Sequence, residues 1–255
     1  MKALKRVLRG VLIALFWLGI WEAGAFAVGK PLLFPGPWSV LRTLVELLKT
    51  PEFYRVTGNS LWNILQGFLL ATVLGVLLAV LTSHVRILRE LLQPLMAVVK
   101  ATPVASFIIL AILWMGSARV PSFITALIVL PIIWTNLDVG YKTVDPALME
   151  MTKVYRFSPW RRLRCLILPS VRPYFISSVR MSIGLAWKAG IAAEIITMPK
   201  NSIGTMIGEA KQYIETPVMF AWTLTVIVLS LLIELAVSLL LRRMGDSSAE
   251  RKEKL

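Results

Sequence analysis

This sequence has very little of the side-chain chemistry on which most enzymes depend. It contains a single cysteine, Cys165, and a single histidine, His84, which excludes a disulfide framework and a metal site built from several cysteines or histidines. It also lacks the Gly-x-x-x-x-Gly-Lys-Ser/Thr phosphate loop and the Gly-x-Ser-x-Gly and His-Glu-x-x-His patterns of hydrolases. We therefore expect no enzymatic activity, no catalytic residue, no metal and no cofactor bound by this chain.

Charged residues are scarce and hydrophobic residues are abundant. Only 16% of the residues are charged and 57% are hydrophobic, whereas a soluble domain is typically about 25% charged and about 45–50% apolar. The mean hydropathy of +0.73 is that of an integral membrane protein. The net charge of +14 does not indicate a nucleic-acid partner, because the basic residues are spread over many short segments.

The apolar segments predict an all-α protein of about six transmembrane helices in one domain, residues 1–255. A helix needs about 20 mostly apolar residues to cross a bilayer. The predicted spans are residues 8–28, 60–82, 92–115, 121–140, 173–197 and 218–241. Pro103 and Pro131 are expected to kink or loosen their helices, which is tolerated where neighbouring helices satisfy the backbone.

The lysines and arginines predict that both ends of the chain are cytoplasmic. Of the 28 basic residues, eighteen lie at the N-terminus, in the first inner loop, in residues 141–172 and in the tail 242–255, and seven lie in the outer connections. Basic residues accumulate on the cytoplasmic side. Met1–Arg9 also resembles the positive start of a signal peptide, and Ala25-Phe26-Ala27 resembles a cleavage site. Cleavage would leave an odd number of spans, so we favour a retained helix.

The longest outer connection, residues 29–59, begins with a turn at Pro35-Gly36-Pro37. Apolar residues then recur near helical spacing from Val40 to Leu48. This pattern predicts a short amphipathic helix at the outer membrane surface.

The fifth predicted span carries a polar face. At 100° per residue, six residues fall within about a third of the helix circumference; they are Arg180, Gly184, Trp187, Lys188, Ile191 and Glu194. Because ionisable groups inside a membrane usually face a cavity or a partner, this face is a candidate translocation pathway in which Lys188 attracts an anion. The alternative is a structural ion pair of Lys188 with Glu194 or with Asp138.

The longest polar interruption, residues 141–172, separates the fourth and fifth predicted spans. It has a short helical start at Glu150, a turn around Ser158-Pro159 and an entry into the next span at Leu168-Pro169. Its six arginines and lysines from Lys153 to Arg172 favour a cytoplasmic location. This layout is typical of a docking element for a soluble partner.

The same segment resembles the signature of the permease subunits of bacterial ABC importers. That signature runs Glu-Ala-Ala, three residues, Gly, nine residues, Ile, one residue, Leu-Pro, and from Glu150 its last two places fall on Leu168 and Pro169. The departures are Met151-Thr152 for the two alanines, Arg156 for the glycine and Leu166 for the isoleucine. Because the glycine is missing, we expect the turn to be built differently, at Ser158-Pro159.

A narrower resemblance, over about residues 32–243, is to the nitrate, taurine, alkanesulfonate and bicarbonate importer permeases. The matching pieces are Leu33–Pro37, Lys100–Pro103, Val144–Leu148, Val179–Ser182, Ala186-Trp187, Ala193-Glu194 and Ser202–Gly204. The resemblance implies a type I importer permease bundle in the bacterial inner membrane. The residues it assigns to coupling with an ATPase are Glu150, Thr152, Arg156, Phe157, Ser158, Pro159, Leu168 and Pro169.

The resemblance also implies partners. They are a second copy of this chain, two cytoplasmic ABC ATPase subunits that use ATP and Mg, an extracytoplasmic substrate-binding protein and the lipid bilayer. The expected function is ATP-driven uptake of a small anion or polar metabolite, such as a sulfonate, nitrate, bicarbonate or a vitamin precursor. The alternative is a stand-alone ion-coupled transporter, although such proteins usually show internal repeats and broken helices, and the sequence shows neither clearly.

Overall fold

The computed structural model describes the backbone of residues 2–252 and the side-chain surroundings of residues 8–241, and this part of the chain is all-helical. The helices are α1 (Lys2–Val28), α2 (Pro37–Leu48), α3 (Pro51–His84), α4 (Arg86–Ala101), α5 (Val104–Met115), α6 (Val120–Lys142), α7 (Pro146–Val154), α8 (Pro159–Arg162), α9 (Leu168–Thr197), α10 (Ile203–Gln212) and α11 (Thr216–Lys252). A π-helical turn, Leu163–Ile167, joins α8 to α9. The side chains of the predicted cytoplasmic ends, 1–7 and 242–255, lie outside the described residues.

Four described helices are long and apolar enough to cross a membrane, namely Leu8–Val28, Pro51–His84, Val120–Lys142 and Thr216–Leu241. The predicted span 92–115 is divided into α4 and α5, whose axes bend by 104° at the break, so the kink expected at Pro103 is much sharper than a loosened helix. The break falls at Thr102, which is extended with ψ 134°, as sterics favour for a residue that precedes a proline. Counted as one bent span, α4 and α5 raise the number of candidate spans to five.

The predicted fifth span, 173–197, lies within α9, which begins earlier, at Leu168. α9 is not among the helices that qualify as spans by length and composition. Its polarity comes from Arg172, Arg180, Lys188 and Glu194, all of which lie in its helical sequence. The count of six spans and the cytoplasmic location of both ends remain predictions.

The short helix predicted in the outer connection is present as α2. Its start follows from local chemistry, since Gly36 is extended at the N-cap and Pro37 occupies the first turn, where a missing N–H leaves no hydrogen bond unmade. α3 then begins at Pro51, well before the predicted span at residue 60. The apolar pattern alone marks the most apolar part of α3, not the length of the helix.

The sequence predicts one domain, and the packing of the chain divides into two compact units. Unit 1 comprises Met1–Ser60 with Met198–Val228, and unit 2 comprises Leu61–Thr197 with Leu229–Leu255. In unit 1, the ring of Phe220 lies against those of Trp21 and Phe34, with centroids 6.1 and 5.8 Å apart. The backbone N–H of Ile203 also donates to the Ser60 hydroxyl at 2.9 Å.

Unit 2 is built on the packing of α6 against α9. The shared core holds Phe68 and Ala71 from α3, Val129, Ile133, Trp134 and Leu137 from α6, and Val179, Ile183 and Ala186 from α9. The Trp134 indole N–H donates to the Thr82 hydroxyl at 3.1 Å, so the polar atom of this large side chain is satisfied inside the core.

Glycines bring the helices of unit 2 close together. A β-carbon at Gly67 of α3 would lie 2.1 Å from the carbonyl oxygen of Ser122 on α6, and one at Gly190 of α9 would lie 2.5 Å from the Ile64 side chain. Small residues of this kind let helix backbones approach closely in membrane proteins.

Candidate functional site

The polar segment between α6 and α9 begins with a capped helix, α7. The Asp145 carboxylate accepts a hydrogen bond from the Ala147 N–H at 2.8 Å, and Pro146 occupies the first helical position. This is a strong helix start, and it places the beginning of the helix at Pro146 rather than at the predicted Glu150. Glu150 is exposed in the middle of α7.

α7 ends in a Schellman motif centred on Arg156. The Phe157 N–H donates to the Thr152 carbonyl at 2.9 Å and the Arg156 N–H donates to the Lys153 carbonyl at 3.0 Å. Arg156 has φ +48°, the left-handed conformation that this motif requires and that glycine adopts most easily. The expectation that the turn moves to Ser158-Pro159 is therefore wrong, because Arg156 keeps the left-handed turn at the glycine position of the signature.

Ser158 and Pro159 instead start the next helix. The Ser158 hydroxyl accepts from the Arg161 N–H at 3.3 Å, and Pro159 is the first residue of α8. The Arg161 guanidinium lies 4.5 Å from the centroid of the Phe157 ring, a cation–π distance. These contacts fix the geometry of the turn between α7 and α8 and leave the Trp160 side chain 69% exposed.

Leu168 and Pro169 enter α9 through the π-helical turn. The Leu168 N–H bonds to the carbonyl of Leu163, five residues back. A proline ring inside a helix clashes with the carbonyl four residues before it, and a π-helical turn immediately upstream widens the backbone at that place. The turn therefore lets Pro169 lie near the start of a helix that continues from α8.

Seven of the eight predicted coupling residues lie at least partly on the surface. Glu150, Arg156, Ser158, Pro159, Leu168 and Pro169 are exposed and Phe157 is half-buried. Thr152 differs, because it is 1% exposed and its hydroxyl donates to the Met149 carbonyl at 2.7 Å. Thr152 therefore has a structural place in the segment.

The predicted polar face of α9 divides into two parts. Trp187 is 2% exposed and Glu194 is fully buried within unit 2. Arg180 and Lys188 are exposed, and Gly184 between them is partly exposed. The exposed part is thus a stripe of three residues, Arg180, Gly184 and Lys188, each one helical turn from the next.

The proposed ion pair between Lys188 and Asp138 is not formed. One Asp138 oxygen lies 2.5 Å from Arg89 of α4, and the other lies 3.0 Å from Lys142, one turn along α6. The Asp138 side chain is 13% exposed. Asp138 therefore joins α4 to α6 and leaves Lys188 on the surface of α9.

Glu234 of α11 lies next to the exposed stripe of α9. The helical periodicity of α9 could not identify it, because Glu234 is on a different helix. A β-carbon at Gly184 would lie 2.6 Å from Glu234 Oε1. The signal for Glu234 in the sequence is an acidic residue within an apolar span, which is unusual enough to mark a functional or paired position.

An exposed, basic and capped segment between two helices of an otherwise apolar bundle is the arrangement expected of the membrane-spanning subunit of a transporter. The chain belongs to the family of binding-protein-dependent transport system inner membrane components, whose match covers residues 71–246. It is thus a permease subunit of an ABC importer in the bacterial inner membrane, as the signature predicts.

Relatives with named substrates are similar over most of their length. The riboflavin transport system permease protein RibX of Chloroflexus aurantiacus is 27% identical over 88% of this chain and 84% of its own. The taurine transport system permease protein TauC of Escherichia coli (strain K12) is 22% identical over 88% of this chain and 83% of its own. The two names concern chemically different substrates.

The solved structures show the same fold. A bacterial alginate ABC transporter, crystallised in complex with an alginate pentasaccharide-bound periplasmic protein, contains a chain that matches 95% of this one over 97% of its own length. The TM-score is 0.66 and the sequence identity is 17%. At that identity the likeness carries the fold alone.

Proposed function

We propose that two copies of this chain form the translocation pathway of an ATP-driven importer and that each copy docks one cytoplasmic ABC ATPase subunit. The docking element is the α7–α8 segment, residues 146–162. ATP and Mg are used by the ATPase chain, and an external binding protein delivers the substrate. The observation that carries this proposal is the geometry of the segment, which is exposed, basic and fixed by a cap at each helix start.

The connections of the α7–α8 segment support a role in coupling. α7 follows α6 after a link of three residues, and α8 continues through the π-helical turn into α9. α6 and α9 pack against each other in the core of unit 2. A displacement of the segment by a closing ATPase is therefore transmitted to two helices at once, and small shifts of packed helices are one way in which proteins switch between states.

The substrate we propose is a small anion or a polar metabolite. The exposed Arg180 and Lys188 on α9 support an anion, because a basic side chain inside a membrane attracts negative charge. Because relatives are named for taurine and for riboflavin, the proposal includes both small anions and polar metabolites. Replacement of Lys188 by Met is expected to shift uptake selectivity away from anions. A variant that only loses folded protein, with no change in selectivity, would contradict direct contact between Lys188 and the substrate.

The first test is the composition of the complex. The tagged chain is solubilised from its native host in several mild detergents, and the co-purifying proteins are identified by mass spectrometry. An ATPase with a phosphate loop at a level comparable to this chain is the expected result. Reproducible recovery of this chain alone would contradict the proposal, as would uptake that survives ATP depletion and collapses with the proton gradient.

The second test addresses the docking surface. Glu150→Arg and Pro159→Gly are expected to uncouple ATP hydrolysis from uptake and to leave membrane insertion intact, because one reverses an exposed charge and the other loosens the start of α8. Glu46→Arg, at an exposed position outside the segment, is the matched control. Normal transport by both segment variants would show that the ATPase docks elsewhere.

A further inference from the structure

Unit 1 contains an open groove to which the proposed function has so far assigned no role. It lies between the α2–α3 turn, α10 and the first turns of α11, with a volume of about 390 Å³. Its floor is a pair of buried aromatic rings, since Phe53 is 7% exposed, Trp222 is 2% exposed, and the rings stack with centroids 5.1 Å apart. The base of the groove is therefore apolar.

The rim of the groove is acidic. Of the eleven residues that line it, three are the carboxylates Glu52, Glu209 and Glu215 and none is basic. Basic side chains lie outside the lining, and one of them, Arg55, is 3.4 Å from Glu52 in an exposed pair. Such an excess of acid is notable in a chain with 28 basic and 14 acidic residues, and it gives the groove an electrostatic preference for a positive charge.

The spacing of the carboxylates argues against a metal ion. No group of three or more acidic, His or Cys side chains in the described part of the chain is arranged to hold a metal. A long side chain with an apolar stem and a cationic head fits instead, because its stem covers aromatic surface while its head stays at the rim. Lysine and arginine have this shape, and arginine also stacks on aromatic rings.

One edge of the groove presents large side chains on a strained turn. α10 ends in a Schellman motif in which the Glu215 N–H donates to the Ala210 carbonyl at 2.8 Å and Ile214 has φ +59°. A β-branched residue is rarely left-handed. The turn holds Tyr213 75% exposed and Ile214 62% exposed, and exposed aromatic residues around a pocket are typical of protein contact sites.

α3 is long enough to carry this groove beyond the hydrocarbon of a bilayer. Its 34 residues extend about 51 Å, which exceeds the hydrocarbon core of about 30 Å. The N-terminal end, with Glu52, Arg55, Asn59 and Ser60, is the more polar of the two. It is the end far from Arg86 and Arg89, so the predicted orientation sets the groove on the extracytoplasmic side, where the binding protein approaches.

We infer that this groove receives a basic side chain from the substrate-binding protein and that Glu209 and Glu215 attract it during docking. The inference rests on the proposed function, since it names how the binding protein recognises this subunit. Charge complementarity of this kind sets the association rate and the partner choice, while the aromatic floor supplies the apolar contact.

The test is a titration of the complete transporter in proteoliposomes with the binding protein that supports its uptake. ATP hydrolysis is measured against binding-protein concentration for the wild type, for the double variant Glu209→Gln/Glu215→Gln and for Glu46→Gln, an exposed control outside the groove. The double variant is expected to need about tenfold more binding protein for half-maximal stimulation at low salt. Its hydrolysis without binding protein and its maximal rate stay at wild-type values, and the control matches the wild type.

Each outcome separates the two proposals. Wild-type hydrolysis that never responds to binding protein overturns the binding-protein role and the groove assignment together. A normal response in which the double variant matches the wild type overturns the groove assignment alone. A second measurement, photocrosslinking, does not depend on how well the double variant folds. For it, benzoylphenylalanine replaces Tyr213 in the otherwise unchanged chain. Light-induced coupling to the binding protein supports the inference, and coupling to a second copy of this chain overturns it.

Discussion

The carboxylate of Glu234 lies in the notch left by the missing side chain of Gly184, since a β-carbon there would be 2.6 Å from Glu234 Oε1. Gly184 is one helical turn from Arg180 and one turn from Lys188. A carboxylate therefore stands between two exposed basic residues on the candidate pathway face. Its charge offsets the attraction of that face for an anion.

Removal of this charge is expected to favour anion passage. Glu234→Gln should raise the maximal rate of uptake of an anionic substrate about threefold, because a repulsion is removed while both cations stay. Uptake of a neutral substrate should be unaffected. The measurement is initial uptake into proteoliposomes at saturating binding protein. An unchanged or reduced rate for the anion would contradict the role of Glu234.

Gly184→Ala tests the same contact from the other helix. The added methyl group meets the end of a flexible side chain, so Glu234 can move away, and the free energy of unfolding should change by less than about 1 kcal/mol. Uptake of the anion should change in the direction seen for Glu234→Gln. Gly19→Ala is the control, because a β-carbon at Gly19 meets no atom within 4 Å. A large loss of stability in Gly184→Ala but not in Gly19→Ala would show that the Glu234 side chain cannot move out of the notch.

Gly67 presents the opposite case. Its β-carbon would lie 2.1 Å from the backbone oxygen of Ser122, and a backbone atom cannot move aside without separating α3 from α6. Gly67→Ala is expected to destabilise the protein by about 3 kcal/mol, measured as thermal unfolding in detergent. Gly58→Ala on the same helix, where no atom lies within 4 Å, should leave the unfolding temperature near that of the wild type. Equal temperatures for the two variants would show that the close approach of α3 and α6 is not required.

The sequence predicts much of this architecture because apolar runs and helix signals are local. The α2 helix follows from Pro35-Gly36-Pro37 and the apolar spacing after it, and Pro103 correctly marks a weak point in the third apolar run. The size of the bend at Pro103 does not follow, because proline removes one hydrogen bond and excludes one conformation but leaves the direction of the next helix to tertiary packing.

In the candidate site, too, local features follow from the sequence and tertiary packing does not. Spacing from Glu150 identifies the segment that resembles the importer signature, since the intervals survive several substitutions, and its role in docking stays a prediction. Periodicity gathers Arg180, Lys188 and Glu194 on one face of α9, yet the structure buries Glu194 and exposes the other two. A helical wheel gives only the angular positions of residues on one helix. Which of these residues become buried depends on the neighbouring helix α6, which is distant in the sequence.

Asp138 is expected to be a structural residue that joins α4 to α6. Asp138→Asn removes the partner of the Arg89 side chain, which is 24% exposed. A basic group left without its partner in a partly buried place costs about 2 kcal/mol, so thermal unfolding should occur at lower temperature. The comparison is Glu90→Gln, which breaks an exposed pair with Arg86 and should cost at most about 0.5 kcal/mol. Equal effects of the two variants would show that the Asp138 pair is fully screened.

Arg156 offers a test of the turn that replaces the signature glycine. Its φ of +48° is a conformation that costs a residue with a side chain about 1 kcal/mol relative to glycine. Arg156→Gly should therefore raise the free energy of unfolding by about that amount, because the Schellman hydrogen bonds stay and the strain is relieved.

The matched variant Arg156→Ala removes the charge but keeps the strained backbone, so it should unfold at the wild-type temperature. Thermal unfolding of all three proteins in one detergent separates the two effects. An unfolding temperature for Arg156→Gly at or below that of Arg156→Ala would contradict the left-handed turn. The same pair also distinguishes two roles of Arg156 in docking. If both variants lose ATPase binding equally, the charge is recognised, whereas loss in Arg156→Gly alone would mean that the ATPase needs the turn to be stiff.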